Sequence, residues 1–201
     1  MTAGLSPVKR PIAVLISGRG SNMRALIAAC ADPRFPARIV AVLSNREDAP
    51  GLRTAEEAGL HTVCIPSKPF GRDREAHERA IDDALRAAGT EIVCLAGYMR
   101  VLTPFLVGAW SGRMLNIHPS LLPAFPGLHT HARAIESGVA EHGCTVHLVT
   151  EGVDEGPILG QARVPVLPGD TPEILAARVL EEEHRLYPHA LAAFIEGLVS
   201  A

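Results

Sequence analysis

Short apolar runs recur along the first two thirds of the chain, at Ile12–Ile16, Ile39–Leu43, Thr62–Ile65, Ile92–Ala96 and Met114–Ile117. Each has the length of a strand, and helical patterns such as Asn22–Ala31 and Asp73–Ala88 lie between them. This alternation constrains the fold more than any single motif does, because strands joined by helical crossovers pair in parallel. Continuous apolar runs also suit strands covered by helices on both faces. The chain therefore reads as an α/β, Rossmann-like fold with a mostly parallel sheet and helices on both faces. After Gly127 the rhythm changes, with a short helix over Thr130–Ser137 and then two strand candidates, Cys144–Val149 and Ile158–Val164. The short link Thr150–Gly156 predicts that these two form an antiparallel extension of the sheet near the C-terminus. In a sheet of this kind the site lies at the carboxyl ends of the parallel strands.

A long helix is expected from about Thr171 to Ile195. Asp170 or Thr171 can cap it, Pro172 suits its first turn, and Glu173 can close a capping box with Asp170. Tyr187-Pro188 marks a kink or the end of its regular part. Glu183 belongs to the run Glu181–Glu183, which fits a solvated face. It also falls on the stripe Ala176, Leu180, Tyr187, Leu191 and Phe194, where a carboxylate needs a partner.

Size suits one domain over residues 11–201 behind a flexible N-terminal tail at 1–10. Hydrophobic residues at 47% and charged residues at 20% are those of a chain that folds. A net charge of −3 with no Lys/Arg run gives no field for nucleic acid, though small anions need only a local nest of donors. No segment approaches the length of a membrane span, and the N-terminus has no apolar signal region. Cys30, Cys64, Cys94 and Cys144 form no C-x-x-C pair and read as buried small residues. A cytoplasmic protein with small-molecule partners and no nucleic acid or membrane partner is expected; a homodimer is compatible with the sequence.

Chemistry enters at Met114-Leu-Asn-Ile-His-Pro119. Alternation along a strand turns Asn116 and His118 to one side and Leu115 and Ile117 to the other. An amide N–H beside an imidazole suits the oxygen that becomes negative when a nucleophile attacks a carbonyl. Pro119, Pro123 and Pro126 stiffen the exit. Read alone, Asn-x-His also fits a strand end with a satisfied polar pair. Strand one runs into Ser17-Gly-Arg-Gly-Ser-Asn22 and a helix start, an arrangement that suits a phosphate. Met23 stands where a dinucleotide fingerprint has its third glycine, and Ser44-Asn45-Arg46 supplies no acidic residue after strand two, so a nicotinamide cofactor is not expected. The nine histidines form neither H-E-x-x-H nor a Cys/His zinc spacing, so no metal is expected; His147 alternates with Val146 and Leu148 and can face the site.

Taken jointly, Asn116-Ile-His-Pro-Ser-Leu-Leu-Pro123, Pro126-Gly-Leu-His-Thr-His131 and Val153-Asp-Glu-Gly-Pro157 resemble the folate-dependent formyltransferases, in particular the branch that formylates glycinamide ribonucleotide in purine synthesis. The resemblance runs from about Ile12 to Ala193. It implies transfer of a formyl group from 10-formyltetrahydrofolate, a co-substrate, with no metal or redox cofactor. It assigns catalysis to Asn116, His118 and Asp154, with Asp154 favouring the imidazolium and linked to proton movement. Gly20, Ser21 and Asn22 would hold the ribonucleotide phosphate and Glu183 its ribose or glycinamide part. Arg74, Met99, Arg100, Val101, Leu102, Asn116 and the loop Thr150, Glu151, Gly152, Val153 and Asp154 would line the folate pocket. Gly152 and Gly156 would give that loop the unusual backbone angles needed to fold over the site. Two other readings stay open. Formyltetrahydrofolate hydrolase uses similar loops, although it carries an N-terminal regulatory domain and strand one begins here by Ile12. A non-catalytic folate- or nucleotide-binding module would not require Asn116, His118 and Asp154 together.

Overall fold

The computed structural model describes residues 9–199. In chain order the elements are β1 (Arg10–Ile16), α1 (Ser21–Cys30), β2 (Ala37–Ser44), α2 (Pro50–Glu57), β3 (Thr62–Cys64), α3 (Arg74–Ala87), β4 (Ile92–Leu95), α4 (Pro104–Ala109), β5 (Met114–His118), α5 (Thr130–Glu136), β6 (Glu141–Leu148), β7 (Ile158–Pro165) and α6 (Pro172–Val199). A single 3-10 turn, Lys68–Phe70, precedes α3. The strands form one sheet in the order β3-β2-β1-β4-β5-β6-β7. Pairing is parallel from β3 across to β5, then antiparallel for β5 with β6 and β6 with β7. The fold class is that expected from the apolar rhythm, including the antiparallel extension.

Every residue from Ile12 to Ile16 is buried, because β1 is central and both its faces are covered. Ile12, Val14 and Ile16 join Leu115 and Ile117 against Met23 and Leu26 of α1 and Tyr187 and Leu191 of α6. Ala13 and Leu15 join Val93, Leu95 and Met114 against Ile81 and Leu85 of α3 and Leu106 and Trp110 of α4. Burial of this kind stabilises by about 25 cal/mol per Å² of apolar area removed from water, so these two layers dominate folding. The strand order reverses at β1, whose neighbours are β2 and β4; such a reversal sets a crevice at the carboxyl ends of the two diverging strands in open α/β sheets.

Several local features differ from the sequence reading. α2 and α4 are 8 and 6 residues long, too short to show a helical period, and each opens on a proline. β1 begins at Arg10, within the stretch 1–10 read as a tail, and Lys9 Nζ donates to the carbonyls of Cys30 and Asp32 at 3.0 and 2.8 Å. Residues 1–8 of that stretch lie outside the described residues. Helix α6 continues through Pro188 over 28 residues, since the packing of Tyr187, Leu191 and Ile195 on the sheet outweighs one lost backbone bond. Its buried stripe is Leu175, Val179, Glu183, Tyr187 and Leu191, one position ahead of the expected Ala176 and Leu180. The cap is Thr171, whose Oγ1 accepts from Ile174 N at 3.3 Å. Asp170 is instead paired with Arg178 at 2.7 Å and accepts from Leu167 N at 2.8 Å, so it closes no capping box. Among the described residues no helix is long and apolar enough to cross a membrane.

Gly51, at the start of α2, packs directly under the loop that follows β1. Its N–H donates to the Gly18 carbonyl at 3.0 Å, and a Cβ there would lie 2.5 Å from Ile16 Cδ1 and 2.9 Å from that carbonyl oxygen. Since one obstacle is backbone, a methyl group cannot be absorbed by a rotamer change. Gly51→Ala is expected to lower unfolding free energy by roughly 1–3 kcal/mol, the usual range for overpacking a close contact, measured by urea denaturation. Unchanged stability would show that the contact relaxes freely.

Candidate active site

The end of β5 is where the sheet changes from parallel to antiparallel. Asn116 stands opposite His147 and His118 opposite Thr145, so four polar side chains share one face of β5 and β6. Asn116 Nδ2 donates to His147 Nε2 at 3.2 Å, and His147 Nδ1 donates to the Leu148 carbonyl at 2.9 Å. One of the two Asn116 amide hydrogens is therefore used and the second is available. His118 is only 6% exposed; its Nε2 bonds to the Phe125 carbonyl at 3.0 Å and its Nδ1 lies 3.3 Å from Asp154 Oδ2. Both ring nitrogens face oxygen acceptors.

Asp154 reaches this cluster from the loop between β6 and β7. Its Oδ2 accepts from Gly127 N at 2.9 Å, and its Oδ1 lies 3.6 Å from His147 Nε2. Burial pushes its pKa up, yet the adjacent His147 ring, the bond from the Gly127 N–H and the nearby His118 outweigh burial and hold it below the ordinary carboxylate value. The loop reaches inward through Asp154 itself, which has φ 56, and neither Gly152 nor Gly156 has a positive φ. Those glycines serve close approach instead: a Cβ at Gly156 would lie 1.7 Å from the Leu148 carbonyl oxygen, and one at Gly152 would meet the Glu155 carboxylate.

Residues after β5 form a wall held by side chains on other elements. Thr145 Oγ1 donates to the Ser120 carbonyl at 2.7 Å and accepts from Leu122 N at 3.1 Å, while Gln161 Nε2 donates to the Leu122 carbonyl at 2.8 Å. Behind the wall His142 is fully buried, and burial followed by the neighbouring His131 lowers its pKa to about 4. His131 is lowered by burial and then by His118. Both shifts favour the neutral form of these two rings.

On the other side of the crevice, the loop Ser17–Gly20 leads into α1 with Gly20 as its first boundary and no acidic residue in the first turn. Asn22 and Glu183 are both 7% exposed and joined by a 2.6 Å bond from Nδ2 to Oε2. This bond supplies the partner that a buried carboxylate on α6 requires. Burial raises the Glu183 pKa, with the Asn22 bond opposing it. Ser17 ties the loops together, donating to Asn45 Oδ1 at 2.6 Å and accepting from Met99 N at 2.8 Å. The segment from Met99 is further fixed by Glu78, a buried carboxylate that accepts from the Thr103 N–H at 2.9 Å and from its hydroxyl, and by Arg74 Nη1, which donates to the Val101 carbonyl at 3.3 Å. Met99 and Val101 are 72% and 59% exposed, and Val153 on the Asp154 loop is 51% exposed. Arg100 and Leu102 are half-buried, and Thr150 and Glu151 are exposed.

The geometry thus brings Asn116, His118 and Asp154 together, and separately joins Asn22 to Glu183 beside Ser21 and Gly20. Phe125, Gly127, Thr145 and Gln161 were not singled out as site residues in the sequence; they act through backbone groups or across strand pairs. Among the described residues no group of three or more His, Cys, Asp or Glu side chains is arranged to hold a metal ion.

Residues 10–191 match the family described as formyl transferase. The phosphoribosylglycinamide formyltransferase of Escherichia coli (strain K12) is 46% identical over 186 residues, 92% of this chain and 87% of that protein. The human trifunctional purine biosynthetic protein adenosine-3 is 47% identical over 191 residues, 95% of this chain and 19% of that protein. Among solved structures, glycinamide ribonucleotide transformylase 1 from Symbiobacterium toebii superposes with a TM-score of 0.92 at 48% identity, covering 98% of this chain and 92% of that one. Phosphoribosylglycinamide formyltransferase from Brucella melitensis superposes with a TM-score of 0.88 at 58% identity, covering 92% and 95%. On a match spanning most of its length, the chain belongs to the formyl transferase family.

Proposed function

We propose that the protein transfers the formyl group of 10-formyltetrahydrofolate to the amine of glycinamide ribonucleotide, giving formylglycinamide ribonucleotide and tetrahydrofolate in purine biosynthesis. The observation that carries this reading is the contact of His118 with Asp154, 3.3 Å apart beside Asn116 at the end of β5. Relatives named for the same reaction support it over nearly the whole chain. The neutral amine attacks the formyl carbon, a C–N bond forms, and the carbonyl oxygen takes the negative charge. The second Asn116 N–H donates to that oxygen, and His118 adds a donor by exchanging the Phe125 carbonyl for it. Collapse breaks the bond to the folate nitrogen, which gains a proton as the attacking amine loses one, with Asp154 as the nearby acceptor. The N-terminus of α1 at Ser21 and Asn22 receives the phosphate, and Glu183 the ribose or glycinamide groups. Met99, Val101 and Val153, whose apolar surfaces are exposed beside the crevice, together with Arg74, Arg100, Leu102 and the loop from Thr150 to Asp154, receive the folate.

Incubating the protein with 10-formyltetrahydrofolate and following tetrahydrofolate release tests the reaction. Release that requires glycinamide ribonucleotide is expected; release indifferent to it would identify a hydrolase. Asn116→Ala and His118→Ala are each expected to lower kcat by roughly two to three orders of magnitude, the scale of one lost oxyanion donor, with much smaller changes in KM. Near-parental turnover in either would remove that residue from the mechanism.

Ser21→Ala and Asn22→Ala are expected to raise KM for the ribonucleotide and leave KM for the folate within error; equal losses for both would move this loop out of the phosphate role. Glu183 generates a prediction of opposite sign for stability. Its folded-state pKa is raised, so its contribution favours folding at low pH and is lost as pH rises through the folded value. Glu183→Gln should therefore weaken ribonucleotide binding while making the protein more stable at pH 7.5 relative to pH 4 than the parent. Chemical denaturation at both pH values checks this, and an unchanged pH difference would contradict it.

A further inference from the structure

We infer that Arg133 is a positioning residue for the transfer reaction: one guanidinium on α5 sets the loop whose backbone holds both His118 and Asp154. Arg133 Nη1 donates to the Pro126 carbonyl at 2.6 Å and to the Leu128 carbonyl at 3.4 Å, and its Cζ lies 5.5 Å from the centre of the Phe125 ring. The residues it grips are those that touch the site. Gly127, between the two carbonyls, gives its N–H to Asp154 Oδ2 at 2.9 Å, and Phe125 gives its carbonyl to His118 Nε2 at 3.0 Å. Phe125 and His129 both hold left-handed backbone angles, φ 55 and 57, which residues with a Cβ adopt only where neighbours over-determine them. Arg133 supplies that determination at the far end of the loop, while Thr145 and Gln161 hold its near end. A guanidinium suits this task because its donors lie in a rigid plane that stacks on an aromatic ring while bonding at its edge.

The inference rests on the proposed roles of His118 and Asp154, so the test carries His118→Ala as a reference. Arg133→Met keeps a stem able to pack on Phe125 and removes every donor. It is expected to melt cooperatively within a few degrees of the parent. Its kcat should fall by roughly tenfold to a hundredfold, the scale on which small misplacements act, with KM for the ribonucleotide within about twofold. The pH profile supplies a readout that a loss of mere bulk would not move. Asp154 is faced by His118 from β5, His147 from β6 and the Gly127 N–H from the loop. Loosening Gly127 removes a bond that lowers its pKa, so the acid limb of kcat should move to higher pH. Arg133→Lys restores N–H donors without the plane that stacks on Phe125, so it should recover part of the kcat and return the acid limb toward the parent.

Arg133→Met with parental kcat and an unmoved acid limb would overturn the inference, as would a loss confined to KM. Failure of Arg133→Met to fold would overturn it too, because Arg133 would then be holding the fold instead of the site. If His118→Ala itself turned over like the parent, the catalytic reading and this inference would fall together. If His118→Ala were impaired and Arg133→Met were not, only the role of Arg133 would fall.

Discussion

Antiparallel pairing of β6 against β5 is the contact on which the site depends. A sixth parallel strand in that position would need another crossover and would present a different face and register to Asn116 and His118. Reversal sets His147 opposite Asn116 and Thr145 opposite His118, then delivers the loop carrying Asp154 back over the same edge. His147 is thereby shared, accepting from Asn116 at 3.2 Å and lying 3.6 Å from Asp154. Thr145 is shared as well, since it stabilises the chain leaving β5. Two cross-strand neighbours thus hold three groups that approach from different directions.

Hydrogen bonds between elements pin several of the loops around the site. Buried polar groups without partners cost on the order of 1–3 kcal/mol each, so a loop pinned at many points is worth more than the sum of weak surface contacts. Ser17 links the ends of β1 and β2 to the segment after β4, Glu78 fixes that segment at Thr103, and Asn22 joins α1 to Glu183 on α6. Asn116 and His118 stand on a strand end and Asn22 at a helix start, whereas Asp154 reaches the site from a loop. Apolar surface remains outside this network at Met99, Val101 and Val153, which suits a partly apolar ligand that must arrive and leave.

Much of this was legible in the sequence. The apolar run located β5 at Met114–His118 within one residue, and alternation put Asn116 and His118 on the same face, because a period of two leaves no freedom. The short link Thr150–Gly156 placed the antiparallel pair, although β6 begins at Glu141, ahead of the expected Cys144. Helical phase was harder to read on α6: Leu175-Val179 leads to Glu183, Tyr187 and Leu191 in steps of four and Ala176-Leu180 leads there by one step of three, both helical spacings, and only packing on the sheet selects the first. Asp170 and Thr171 are both good caps, and the choice was made by Arg178, eight residues away, which draws Asp170 aside. Arg133, Gln161 and Thr145 were not legible as site residues, since they bond to backbone carbonyls and amides whose direction is fixed only in three dimensions.

The central claim is that His118 and Asp154 act as one unit. A double-mutant cycle on kcat, with His118→Ala, Asp154→Asn and both together, measures this directly. The account predicts that the double variant loses little more than the worse of the two single variants, because each removal already disables the shared function. Losses that multiply, so that their logarithms add, would mean that the 3.3 Å contact between them has no part in the chemistry.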